Sequence, residues 1–304
     1  MQGGIRLNAF GVVSLGIPLH KGGLSLPAVS VPFLHVWTTV GNLNTARFGL
    51  AGAGTQTAGL CMGGIDAGST VLVITEEYNG VAWAYGGNLN TARWVLAGAG
   101  TQTAGLSMGG FDAGYVNSAV TEEYDGAAWT NGGNLNTAGR LHAGAGTQTA
   151  GLSMGGFLTV VITEEYNGVA WAYGGNLNTG RYGLAAAGTQ TAGLCMGGYR
   201  GAASAVTEEY DGVAWAVGGA LNTARDGLAG AGTQTGGLCM GGQVSGGVRN
   251  KTEEYDGAAW TNGGNLNTAR QGLGGAGIQT AGLCMGGGYI GAPPFYSTVT
   301  EIYA

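Results

Sequence analysis

Eleven of the chain's 17 acidic residues are glutamates in one recurring motif, Thr-Glu-(Glu/Ile)-Tyr, which begins at Thr75, Thr121, Thr163, Thr207, Thr252 and Thr300. Carboxylates repeated in this way could do one of two things. They could ring a cation with hard oxygen ligands, or each could pair with a basic group in its own copy. The second is expected, because an arginine recurs with the same period at Arg47, Arg93, Arg181, Arg225 and Arg270. The third copy breaks the pattern, with Gly139 at that position and Arg140 next to it. A group present in every copy solves a structural problem in every copy, so Glu–Arg pairing or hydrogen bonding to loop backbone is the reading.

The three histidines, His20, His35 and His142, fall at unrelated positions, and no motif supplies the partners of a zinc site or a catalytic triad. No P-loop sequence occurs. The expectation is a protein that is not an enzyme and carries no cofactor or metal. The cysteines Cys61, Cys195, Cys239 and Cys284 share one repeat position, filled by Ser107 and Ser153 in the other copies. Equivalent positions in a six-fold ring lie as far apart as their radius, roughly 10 Å for a second strand at ~4.8 Å strand spacing. A disulfide needs Cα atoms within about 7 Å, so free, buried cysteines are expected.

What positions these groups is a repeat. Asn-Leu-Asn-Thr starts at Asn42, Asn88, Asn134, Asn176 and Asn265, with Ala220 replacing the first Asn in one copy; the spacings are 46, 46, 42, 44 and 45 residues. That is the period of a four-stranded propeller blade. Turn chemistry divides a copy into a small-residue strand at 49–54, a second strand at 58–62 ended by Gly63-Gly64, a third at Thr75–Tyr78, and a fourth holding Trp83. Asn79-Gly80 suggests a two-residue type I′ hairpin, with positive φ at both positions. The Gly/Ala strand fits the crowded axis of a ring. The chain stops after Thr300–Ala304 without a Trp strand, and Phe33–Trp37 is the missing piece, so the first strand is expected to complete the last blade. The fold predicted is an all-β, six-bladed β-propeller of four-stranded antiparallel blades over 33–304, preceded by an arm over 1–32.

Between each Gly-Gly and the next Thr, the segments have lengths 10, 10, 6, 8, 9 and 12, and the rest of each complete spacing is a constant 36 residues. Length variation is therefore confined to one connection, on one face of the disc, and loops on a rigid scaffold are where recognition tends to live. Candidate ligand-binding residues are Asp66 in the first loop; Asp112, Tyr115 and Asn117 in the second; and Tyr199 and Arg200 in the fourth. The fifth loop adds Arg249 and Asn250, and the sixth adds Tyr289, Phe295 and Tyr296.

Composition bounds the rest. Glycine supplies 66 of 304 residues, without the triplet period of collagen, and 44% of residues are hydrophobic, so a core can form. Charged residues are 9% and the net charge is −6, which is not the footprint of a nucleic-acid binder. No apolar run reaches the roughly 18 residues of a membrane span. Residues 9–19 have the apolar character of a signal-peptide core and are read as part of the mature arm.

The Gly-Gly pair, then Tyr, then Trp at this spacing resembles the kelch repeat over about residues 33–304. Only four residues separate Tyr78 from Trp83, where kelch repeats usually have a longer turn. The resemblance implies a propeller and, most often, protein binding. Galactose-oxidase relatives hold copper with Tyr, Cys and His, and no such set is evident; Asp125–Trp129 lacks the spacing of a sialidase Asp box. Asn-Leu-Asn-Thr-Ala-Arg and Gly-Thr-Gln-Thr-Ala-Gly-Leu are similar to repeats in proteins encoded by tailed phages. That similarity implies a structural, non-enzymatic virion surface or tail-fibre component. The arm would bind other virion or assembly proteins, and the loop face a host surface protein or glycan. The alternatives are an extracellular lectin-like protein or a kelch adaptor, and third an oxidase- or sialidase-like enzyme.

Overall fold

Alternating Ala and Gly, as in Ala51–Gly54, form the strand that each repeat sends to the centre of a ring. The computed structural model describes residues 35–158, 160–245, 247–289 and 296–304, together with an antiparallel pair of two-residue strands, Arg6–Leu7 and Val13–Ser14. Two units divide the chain, Met1–His35 and Val36–Ala304. The remainder of the expected arm, Phe33 and Leu34 of the expected closing strand, and Phe295 lie outside the described residues.

Val36–Ala304 is an all-β propeller of six four-stranded antiparallel sheets. From the centre outward, blade 1 runs Ala51–Gly54, Gly59–Met62, Thr75–Tyr78 and Trp83–Tyr85. Blades 2 to 5 repeat this order. Blade 6 takes Gly274–Ile278, Ala281–Met285 and Thr300–Tyr303 from the chain's end and Trp37–Thr39 from near its start, with Trp37 opposite Tyr303. The split copy thus closes the ring as its sequence predicts. The innermost strands touch their neighbours all the way round, including blade 6 against blade 1. Glycine is required by this approach: a Cβ on Gly52 would sit 2.7 Å from the carbonyl oxygen of Gly275 in the next blade.

The core lies between blades. Leu60 and Met62 of blade 1 pack with Leu89, Leu96, Tyr124 and Trp129 of blade 2, and equivalent clusters recur around the ring. Each such Leu or Met contributes about 1.5–3 kcal/mol on full burial. Polar bonds run across the same joints. Each fourth-strand Trp donates its indole N–H to a Thr hydroxyl of the preceding blade, as Trp129 does to Thr75 at 2.9 Å, and Trp37 and Trp83 carry the pattern through the closure.

One expectation is corrected. In blades 1 to 5 the connection after the third strand is a four-residue turn, Asn79–Ala82 in blade 1, flanked by the Tyr78–Trp83 pair. Gly80 has φ 89°, but Asn79 is not in the positive-φ region. The Asn79 side chain explains why: its Oδ1 accepts from the N–H groups of Val81 (3.0 Å) and Ala82 (2.9 Å), an Asx-type cap in place of a type I′ turn.

The joint between blades 6 and 1 differs from the other five. Elsewhere the third-strand Tyr donates its hydroxyl to the second Glu of the preceding blade: Tyr124 to Glu77, and at 2.5 Å Tyr166 to Glu123, Tyr210 to Glu165, Tyr255 to Glu209 and Tyr303 to Glu254. In blade 6 that Glu is Ile302, and the buried Tyr78 hydroxyl has no partner. The exchange is matched by a third residue. Gly86 must be glycine, since a Cβ would meet the Tyr124 hydroxyl at 2.6 Å and Glu77 Oε1 at 2.8 Å, whereas its blade-6 equivalent is Val40. Val40 and Ile302 pack against the Tyr78 cluster instead. Tyr78→Phe is therefore expected to change stability by less than about 0.5 kcal/mol. Tyr124→Phe should cost about 1–3 kcal/mol by stranding Glu77. Urea unfolding compares the two, and equal costs would refute the difference between joints.

Candidate functional site

The Arg–Glu pairs build the face that carries the loops. Arg47 reaches from the blade entry into the sheet, where Nη2 donates to Glu76 Oε1 at 2.9 Å with both side chains fully buried. Its Nη1 donates to the carbonyls of Gly63 (3.0 Å) and Ile74 (2.7 Å), which are the two feet of the first variable loop. The other oxygen of Glu76 accepts the N–H of Asn44 at 2.7 Å. The same clamp occurs at Arg93–Glu122, Arg181–Glu208, Arg225–Glu253 and Arg270–Glu301. Loop length can vary because the feet are fixed. The cysteines lie against these clamps, free and buried, with Sγ accepting from Arg181, Arg225 and Arg270 at 3.1–3.3 Å. Burial pushes the Cys239 thiol up to about 12 and Cys195 up to about 11, so they stay protonated and unreactive.

Inward of the clamps, the residue two after the arginine position is left-handed in every blade: Gly49, Val95, Leu141, Gly183, Gly227 and Gly272, with φ between 47° and 63°. Their backbones form a closed cycle around the axis. Gly49 N–H donates to Gly272, Gly272 to Gly227, Gly227 to Gly183, Gly183 to Leu141, Leu141 to Val95 and Val95 to Gly49, at 2.6–2.9 Å. A β-branched Val at φ 47° is strained, and the cycle holds it there.

Between cycle and clamp sits one side chain per blade, and no two are alike: Phe48, Trp94, Arg140, Tyr182, Asp226 and Gln271. Each of these backbones pairs with the first residue of a variable loop, as Trp94 with Phe111, Tyr182 with Tyr199 and Asp226 with Gln243. Over blades 2 to 4 the side chains form one stack. The Arg140 guanidinium lies 4.0 Å from the Phe111 ring centre and 3.8 Å from that of Phe157. Trp94 and Tyr115 flank Phe111, at 6.0 and 5.8 Å, and Phe157 leads on through Tyr182 (5.6 Å) to Tyr199 (5.3 Å). Asn117 Oδ1 accepts from Arg140 Nη1 at 2.9 Å and fixes its plane. The indole N–H of Trp94 is buried without a hydrogen-bond partner.

Beyond Tyr199 the stack gives way to a groove of about 670 Å³ between the loops of blades 4 and 5, lined by Tyr199, Ala202, Asp226, Gln243 and Val244. Gln243 Nε2 donates to Asp226 Oδ2 at 2.9 Å. Burial raises the Asp226 carboxyl above its usual range, and the Gln243 bond partly offsets this.

Of the residues selected from sequence, Tyr199 lines the groove, and Tyr115 and Asn117 belong to the stack. Arg200 is exposed beside the groove. Asp66 and Asp112 turn inward on their own loops: Asp66 Oδ1 caps the N–H groups of Gly68 and Thr70, and Asp112 Oδ1 those of Gly114 and Val116. Asn250 donates to the Leu266 carbonyl, Arg249 to that of Val248, and Tyr289 lies 3.4 Å from the Ser297 hydroxyl at a loop foot. Tyr296 is half-buried. Sequence reasoning missed Trp94, Arg140, Tyr182 and Asp226. Their signal was present: one column inside the constant 36 residues holds a different residue in every copy.

No group of three or more His, Cys, Asp or Glu side chains is placed to hold a metal ion among the described residues. No helix among them is long and apolar enough to cross a membrane. No protein-family model matches the chain, and no curated protein is significantly similar to it. The kelch and phage-protein likenesses therefore rest on the motif residues alone, while the six-bladed propeller stands on its own geometry.

Proposed function

We propose that this is a non-enzymatic recognition propeller whose loop face binds a saccharide in the groove between blades 4 and 5. The observation that carries this is the convergence there of an aromatic ring, a half-buried carboxylate and an amide from three segments, Tyr199, Asp226 and Gln243. A sugar presents hydroxyls to such a polar pair and a C–H face to such a ring, and pockets of this size and lining suit small ligands.

A glycan array followed by calorimetry tests the groove. Tyr199→Ala and Asp226→Asn should each weaken the best glycan at least about tenfold, or ~1.4 kcal/mol. Thr103→Ala, in the hairpin at the other end of the sheets, should leave it unchanged. An array without a saturable hit, or equal losses in all three variants, sinks the reading.

The stack supports a second ligand class on the same face. Trp, Tyr and Arg are the residues that dominate protein–protein hot spots, and Tyr115 of the stack is exposed. The placement in a virion surface or tail fibre, with residues 1–32 as the attachment to other virion proteins, is proposed from the repeat likeness. The chain lacking 1–32 should fold yet be missing from purified particles when these are surveyed by mass spectrometry; its retention there would remove the attachment role.

A further inference from the structure

Blade 3 lacks the clamp arginine, yet it keeps the acceptors that surround that arginine elsewhere. In the other five blades, Nη1 donates to two loop-foot carbonyls, and Nη2 to the buried Glu and, in four of them, to the Ser or Cys of the second strand. With Gly139 in place of the arginine, the equivalent acceptors line a cavity of about 40 Å³: the segments of Gly155 and Ile162, Ser153 and Glu164. That exceeds the roughly 10–15 Å³ a single water needs. Glu164 is only 3% exposed and retains bonds to Asn136 and Thr137 backbone. The Thr137 N–H lies 2.9 Å from Oε1, against 3.2–3.3 Å for its equivalents in blades 1, 2, 4 and 5.

A second residue, substituted in the same blade, points into the space. Where five blades place Leu before the inner strand, blade 3 has His142, 7% exposed. Its Nε2 lies 3.1 Å from the carbonyl of Met108 and must donate to it, which makes Nδ1 the acceptor. Nδ1 is buried without a partner and stands 3.8 Å from where a side chain on residue 139 would start. Burial drives the imidazole down to about 4, so it stays neutral. The lining includes exposed Ala138 and half-buried Asn117, so the cavity reaches the loop face beside the Arg140 stack.

We propose that blade 3 carries a pocket for a guanidinium group presented from the loop face, bound by Glu164, the Gly155 and Ile162 carbonyls, Ser153 and His142 in place of the missing arginine. The acceptor set is the one that the other five blades fill with their own guanidinium. A bare alkali ion would leave the directional acceptors poorly matched, whereas a planar donor satisfies carboxylate and carbonyls together. The pocket is defined by comparison between blades and stands independently of what the groove binds.

The test titrates methylguanidinium at millimolar, non-denaturing concentration into the full chain, read by calorimetry and by thermal unfolding. Wild type should bind saturably and gain melting temperature by mass action. Gly139→Arg, which restores the arrangement of the other blades and has room for its Cβ, should fold, melt higher, and lose the response at least tenfold. Glu164→Gln should lose it as well; if that variant does not fold, Gly139→Arg decides alone. N-acetyl-arginine-N-methylamide separates the sources: competition assigns a partner's arginine side chain, and failure to compete assigns a small free cation. No saturable binding in wild type, or an equal response in Gly139→Arg, overturns the proposal.

Discussion

Replacing Trp37 by alanine is expected to cost about 3–5 kcal/mol and, unlike the same change in any other blade, to loosen the whole ring. The indole is 5% exposed, lies 4.8 Å from the Tyr303 ring and donates to Thr252 at 2.8 Å, while the Trp37 carbonyl accepts from Asn267 at 2.9 Å. Trp171 makes equivalent contacts in blade 3, but its blade is covalently continuous on both sides. At Trp37 the fourth strand of blade 6 is not covalently continuous with the third, and the adjoining joint with blade 1 already lacks its Tyr–Glu bond. Trp37→Ala should therefore raise hydrogen exchange in Gly274–Ile278 and Ala51–Gly54 together, whereas Trp171→Ala should perturb blade 3 and its neighbours only. Deleting residues 33–38 should go further and open the ring. An unchanged melting temperature in the truncated chain would contradict closure by this strand.

The second large effect concerns the clamps. Arg225→Met leaves Glu253 fully buried without its cation, and breaking such a pair costs about 3–5 kcal/mol. It also frees the Gly241 and Lys251 carbonyls at the feet of the fifth loop. Adding Glu253→Gln should recover part of the loss and not all, because that carboxylate also accepts the N–H groups of Asn222 and Thr223. A double-mutant cycle in urea gives the coupling, and exchange across 243–251 reports the loop. A cost below about 1 kcal/mol, the range of an exposed pair, would show that the clamp does not fix the loop.

The period, the split copy and the invariant Gly-Gly were enough to read the blades and the closing strand from sequence, because a repeat encodes the same joint many times over. The loop face was legible as a location, since all length variation falls in one connection. Its chemistry was not. Asp66 and Asp112 looked available for contact, yet an Asp opening a tight loop satisfies that loop's own N–H groups first. Trp94, Arg140, Tyr182 and Asp226 lie inside the constant segment, where attention to length alone passes over them. Val95 and Leu141 gave no sign of a left-handed backbone, because only the closed cycle imposes it. Val40 and Ile302 are matched substitutions at two places, and they meet the unchanged Tyr78 only across the joint between blades 6 and 1.

The backbone cycle at the axis has a consequence for what the loop face can select. Its six amide dipoles run head to tail, Gly49 through Gly272 and back, so their in-plane components circulate and cancel. A helix terminus offers a ligand a standing partial charge; in the plane of this ring the backbone offers none, and each carbonyl and N–H of the cycle is already spent on its neighbour. Within that plane, any preference for charge at the centre of the disc must come from the six unlike side chains one residue earlier, of which Arg140 and Asp226 are the two charged ones.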